Sequence, residues 1–206
     1  MSAHWVKPPG PVADGLRIGL LGGSFNPAHA GHLHVSKVGL ERLGLDYVWW
    51  LVSPQNPLKP VKGMAVFADR LAAARALAHH PRIRVSGIEA ELGTRYTRDT
   101  LKALLRRFPR VRFVWLMGSD NLAQFSRWRA WQEIARMLPM AVVVRPGSAL
   151  APLFAKTAQH YGGSRTYALH AIADAEPPAL AIIDAPRSDL SGTAIRARRF
   201  VTKASH

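Results

Sequence analysis

The stretch Gly22-Gly23-Ser24-Phe25-Asn26-Pro27-Ala28-His29-Ala30-Gly31-His32 decides how the rest of the chain is read. The apolar run Leu16-Arg17-Ile18-Gly19-Leu20-Leu21 before it has the length and composition of a short buried strand. After it, Leu33, Val38, Leu40 and Leu43 alternate with Lys37, Glu41 and Arg42 at helical spacing. The segment between strand and helix has the parts of a phosphate cradle. Gly22 and Gly23 carry no Cβ, so the backbone is expected to turn sharply there and approach a ligand closely. Asn26 is expected to cap the helix and Pro27 to occupy its first position. The helix start then offers unpaired N–H groups to an anion. His29 and His32, three apart, face one side of that first turn. Two blander readings exist: glycines that only turn the chain beside surface histidines, and a two-histidine metal site. Phosphate chemistry is preferred because strand, glycines, cap and both histidines agree.

The string Gly-Gly-Ser-Phe-Asn-Pro-x-His-x-Gly-His resembles the signature of the nucleotidyltransferase superfamily, with His29-Ala30-Gly31-His32 as its core. The neighbouring residues resemble those of bacterial nicotinate-nucleotide adenylyltransferases. A second stretch carries the same resemblance: Asp189-Leu190-Ser191-Gly192-Thr193-Ala194-Ile195-Arg196 is similar to the family's Ile-Ser-x-Thr-x-Ile-Arg, with Leu190 for the isoleucine. By composition alone this string is an ordinary helix capped by Ser191, with Thr193 and Arg196 on one face. The resemblance implies that Ser191, Thr193 and Arg196 hold the outer phosphates of ATP.

Between these ends, Tyr47 to Val52 reads as a second buried strand, broken by the prolines of Ser53-Pro54-Gln55-Asn56-Pro57-Leu58-Lys59-Pro60. Ligands of open α/β sheets sit beyond the carboxyl ends of strands, where this loop falls. The resemblance places Lys59 on substrate phosphate; family members often have a histidine beside it, where this chain has Leu58. Phe67 to His79 reads as a scaffold helix with Asp69 and Arg70 near its start. In Tyr96-Thr97 the resemblance gives Thr97 to the nicotinate carboxylate, whereas the bare sequence makes it a helix cap before a helix over 101–108. Gly118 and Asp120 follow the strand Val111 to Met117; the resemblance puts them beside the dinucleotide, and an Asx turn is the plainer alternative. Phe125-Ser126-Arg127-Trp128-Arg129-Ala130-Trp131 reads as core or site on composition. The resemblance selects Trp128 for the nicotinate ring and Trp131 for the core.

Strands near residues 16, 47, 83, 111, 140 and 180 alternate with helices. The expected fold is therefore a single α/β domain with a Rossmann-like, doubly wound parallel sheet of about six strands. Residues 1–15 read as a flexible lead-in to a domain over 16–206, and 148–178 give little. The 206 residues are 48% apolar and 20% charged, enough to fold around a core. The absence of cysteine excludes disulfides and fits a cytoplasmic protein, and no apolar run approaches a membrane span. The charge of +15 suits either nucleic acid or a field drawing small anions to a cleft. It is scattered, without aromatic–basic interleaving, so small anions are preferred.

Taken together, the resemblance implies AMP transfer from ATP to nicotinate mononucleotide, giving deamido-NAD and pyrophosphate, with Mg2+. His29, His32, Lys59 and Arg196 are the implied catalytic groups, and Gly22, Gly23, Ser24 and Phe25 the implied phosphate contacts. ATP and nicotinate mononucleotide are the partners; a homo-oligomer is allowed, and neither nucleic acid nor membrane is expected. The alternatives are a related enzyme using nicotinamide mononucleotide or another phosphate acceptor and, in a different class, a basic nucleic-acid-binding module.

Overall fold

The computed structural model describes residues 6–54, 63–144, 165–166 and 168–185. The strands are β1 (Arg17–Gly23), β2 (Tyr47–Val52), β3 (Ile83–Ser86), β4 (Arg112–Gly118), β5 (Met140–Val144), β6 (Arg165–Thr166) and β7 (Leu180–Asp184). Between them lie α1 (Ala30–Arg42), α2 (Phe67–Leu77), α3 (Ile88–Glu91), α4 (Thr97–Arg107), α5 (Ser119–Phe125), α6 (Trp131–Met137) and a 3-10 helix, Leu169–Asp174. The strands form one sheet in the order β3-β2-β1-β4-β5-β7-β6, with every described pairing parallel.

Successive side chains of a strand point to opposite faces, and here both faces are apolar, as a sheet covered on both sides requires. Ile18, Leu20, Trp49, Leu51, Phe113, Trp115 and Met117 pack on one face with Ile88, Leu101, Leu104, Leu122, Phe125 and Ile134 of α3 to α6. Val48, Trp50, Val52, Val114 and Leu116 pack on the other with Val35, Val38, Leu40, Ala74 and Ile172. The six strands expected from apolar runs are all present. The seventh, β6, has two residues, too few for any periodic pattern to show. Val6 and Val12 pack against the first cluster, and the Gly15 N–H donates to the Arg110 carbonyl.

The order reverses at β1. The chain moves outward from β1 through β2 to β3, then returns to place β4 on the other side of β1. The crevice between the carboxyl ends of β1 and β4 is therefore the switch point, the place where such sheets bind ligands. Gly23 ends β1 and Gly118 ends β4, so two of the stretches singled out from the sequence meet there.

Candidate active site

Gly22 and Gly23 do not turn the chain; both are strand residues of β1. Gly22 is needed for packing, because a Cβ built there would lie 2.4 Å from Cη2 of Trp115. The turn falls instead at Phe25, whose φ is 46°, followed by a cis Asn26–Pro27 peptide. A non-glycine residue in the left-handed region holds that conformation only when its surroundings enforce it. Phe25 is buried, with its ring stacked on His32 at 4.4 Å and on Trp50 at 5.1 Å.

The helix cap is also not the one expected. Helix α1 begins at Ala30, with His29 as its extended N-cap. His29 Nδ1 accepts the Gly31 N–H at 3.1 Å, and the His29 N–H donates to His32 Nδ1 at 3.2 Å. The two imidazoles thus take the parts that serine and glutamate play in a capping box. Asn26 lies before the helix; its side chain donates to the Gly63 carbonyl and accepts the Ala65 N–H, tying this turn to the segment before α2. Pro27 likewise precedes the helix. Ser36 fixes the first turn to the sheet: its hydroxyl donates to the His32 carbonyl at 2.8 Å and accepts from Trp50 Nε1 at 2.7 Å.

An acceptor nitrogen carries no proton. With both Nδ1 atoms accepting backbone N–H groups, the ring proton of each neutral histidine resides on Nε2. The pair, 4.0 Å apart centroid to centroid, therefore carries two Nε2–H donors at a helix start whose own amides favour an anion.

At the end of β4, Gly118 is the extended N-cap of α5 without a side-chain cap. The exposed Asp120 folds back over it, so that a Cβ on Gly118 would lie 2.7 Å from Asp120 Oδ1. Thr97 is not a cap but the first residue of α4, whose N-cap is Tyr96. Trp128 is half-buried, edge-on to Trp115 at 5.9 Å and to Phe125 at 5.3 Å, which leaves part of its ring outside the core. Trp131 is also half-buried, edge-on to Phe125. The neighbours of Thr97 and Trp128 meet: the Arg129 guanidinium lies over the Tyr96 ring at 4.6 Å. Arg98 and Lys102 of α4 pair with Glu133 of α6.

The chain matches the cytidylyltransferase-like family over residues 20–198. A protein of Parvibaculum lavamentivorans named "Probable nicotinate-nucleotide adenylyltransferase" is 55% identical over 192 residues, covering 91% of this chain and 94% of its own. Another of that name, from Cereibacter sphaeroides, is 55% identical over 180 residues, covering 87% and 96%. This chain belongs to the nicotinate-nucleotide adenylyltransferase family. Its fold is similar to that of Plasmodium falciparum nicotinic acid mononucleotide adenylyltransferase complexed with NaAD, with a TM-score of 0.66 at 16% identity over 88% of this chain and 83% of that one.

The expected residues fall into three groups in this chain. Gly22 and Gly23 end β1, with Ser24, Phe25, His29 and His32 following it, and Gly118 ends β4, with Asp120 just after it. Thr97 and Trp128 lie on the same face as α4 and α6 and are joined through Tyr96 and Arg129. Lys59, Ser191, Thr193 and Arg196 lie outside the described residues.

Two buried charged residues behind the cradle, Arg70 and Glu89, carry no site role on sequence alone. Arg70 is buried under the strand ends, bonded to four backbone carbonyls. Its place was legible, since it falls between Phe67 and Ala74 on the inward stripe of α2. Glu89 is buried, and that desolvation pushes its carboxyl up to about 7 against the opposing pull of a hydrogen bond with the Ser53 side chain. No periodicity marks a four-residue helix such as α3, so Glu89 gave no signal. Among the described residues no helix is long and apolar enough to cross a membrane, and no group of three or more His, Asp or Glu is placed to hold a metal.

Proposed function

We propose that the residues beyond β1 and β4 carry out the reaction for which the family is named. AMP passes from ATP to nicotinate mononucleotide, giving nicotinate adenine dinucleotide and pyrophosphate. A phosphate oxygen of the mononucleotide forms the new bond to the α-phosphorus while the bond from that phosphorus to the bridging oxygen of pyrophosphate breaks. The attacking phosphate is already an anion, so no protein nucleophile is needed and no proton need be removed from it. The protein's task is alignment and stabilisation of charge on the phosphate oxygens.

The observation that carries this reading is the reciprocal cap, which puts the ring proton of His29 and of His32 on Nε2. Those donors, with the backbone N–H groups of Ser24 and Phe25, suit the α- and β-phosphates. Lys59, Ser191, Thr193 and Arg196 are assigned to the outer phosphates and the departing pyrophosphate on their match to the family motifs. Mg2+ is assigned as the counter-ion of ATP. Magnesium takes most of its ligands from phosphate oxygens and water when it binds with a nucleotide, so the absence of a carboxylate cage among the described residues is compatible with it. Bound there, it would neutralise phosphate charge.

Gly118 and Asp120 are assigned to the dinucleotide beside the switch point, and Thr97 and Trp128 to nicotinate. The partly exposed Trp128 ring offers a stacking face, and Thr97, at the first turn of α4, stands where helix amides favour a carboxylate. An acid contact of this kind separates nicotinate from neutral nicotinamide by about 1.5–3 kcal/mol. Pyrophosphate release from ATP and Mg2+ is measured with the two mononucleotides in parallel. Release mainly with the acid is expected, and Trp128→Ala should raise KM for it. Equal release with the amide would overturn the assignment of Thr97 and Trp128.

A further inference from the structure

Arg70 makes an unusual set of contacts for a residue of an Ala- and Leu-rich helix. It is 2% exposed, and burial lowers the pKa of its guanidinium. Its partners are carbonyls. Nη1 donates to Ser24 O at 2.5 Å and to Ser53 O at 2.8 Å, Nη2 to Pro54 O at 2.7 Å, and Nε to Ala65 O at 3.0 Å. Ser24 follows β1, and Ser53 and Pro54 follow β2. One planar cation therefore gathers the two strand ends that lead into the phosphate cradle and toward Lys59. An apolar side chain would fill the space without bringing a charge out of water. The guanidinium fork supplies several donors in fixed directions.

We propose that Arg70 is a positioning residue for adenylyl transfer, holding the Ser24–Phe25 peptide so that its N–H serves phosphate. The inference rests on the reading of Ser24 and Phe25 as phosphate contacts. In a planar trans peptide the N–H points opposite to the C=O. Pinning the Ser24 carbonyl on Arg70 therefore fixes the Phe25 N–H in the opposite direction. A cation on the carbonyl also polarises the peptide and makes that N–H a stronger donor. The same contact helps hold Phe25 at its φ of 46°, a conformation the residue does not prefer. Through Ser53 and Pro54, Arg70 sets the direction in which the chain leaves β2.

The test is Arg70→Lys, which keeps charge and stem but replaces the fork with a single ammonium, assayed by pyrophosphate release where circular dichroism shows it folded. Arg70→Gln, retaining N–H donors without charge, serves if the lysine variant does not fold. The expected result is a fall in kcat of about thirtyfold or more with KM for the mononucleotide within about threefold, the split of a group that acts in the transition state. In parallel, the Phe25 amide resonance of 15N-labelled protein is followed as inorganic pyrophosphate is added. It should move in the wild type and move less in the folded variant, a change that a merely structural role would not produce. An unchanged kcat with the Phe25 shift intact overturns the role of Arg70 and leaves the cradle standing. A wild-type Phe25 amide that ignores bound pyrophosphate overturns the cradle contact, and the proposal with it.

Discussion

His29 and His32 cap one helix together, each offering Nδ1 to a backbone N–H while their ring centroids lie 4.0 Å apart. The cap therefore does two things at once: it satisfies helix-end amides, and it selects the tautomer that carries a proton on Nε2. Nitrogen-15 chemical shifts of the two imidazoles at pH 8 should show an unprotonated Nδ1 and a protonated Nε2 in both rings. A proton on Nδ1 of either residue would contradict the cap.

Gly22 is bound to Trp115 by shape. A methyl group at Gly22 would meet the six-membered part of the Trp115 ring at 2.4 Å and 3.0 Å. Gly22→Ala should destabilise the protein by about 1–3 kcal/mol, the usual range for overpacking a filled core. Trp115→Phe removes the colliding atoms, so the double variant should be more stable than the sum of the single losses by about 0.5 kcal/mol or more. Denaturant melts of the four proteins give the comparison; strict additivity would place the clash elsewhere.

Glu89 makes stability depend on pH in a predictable direction. Its carboxyl ordinarily titrates at 4.5 and is raised to about 7 in the folded chain. Between those values the folded chain keeps a proton that the unfolded chain has released. The contribution is thus full below about pH 4.5, declines as pH rises toward about 7, and is flat above. At about 1.4 kcal/mol per unit the decline amounts to roughly 3 kcal/mol. Glu89→Gln keeps the shape and removes the titration. Its stability, measured by denaturant from pH 5 to 8, should exceed that of the wild type by a margin that grows with pH. A constant margin would mean that Glu89 titrates normally.

The sheet was legible because parallel strands buried on both faces are written as unbroken apolar runs. Val48-Trp49-Trp50-Leu51-Val52 and Met140 to Val144 leave little else to be. The site was legible in its residues more than in its geometry. Propensity favoured Asn26 as cap and Pro27 as first helical residue, yet Asn26 bridges to Gly63 and Ala65 and His29 takes the cap. Helix rules weigh local preference, whereas this turn is set by contacts made across the sheet. Phe25 in the left-handed region shows the same thing, since its ring stacks on His32 and Trp50 override its backbone preference. The alanine- and leucine-rich stretch from Phe67 to His79 reads as a scaffold helix, and nothing in that composition sets Arg70 apart. Only the positions of the ends of β1 and β2 reveal what it holds.

The central claim is that the histidine pair stabilises charge during adenylyl transfer. The most direct test is the turnover of His32→Ala, with ATP, Mg2+ and nicotinate mononucleotide, where circular dichroism shows the variant folded. Loss of one preorganised donor costs about 3–4 kcal/mol, so kcat should fall several hundredfold while the fold persists. A folded His32→Ala protein that keeps most of its activity would contradict the account.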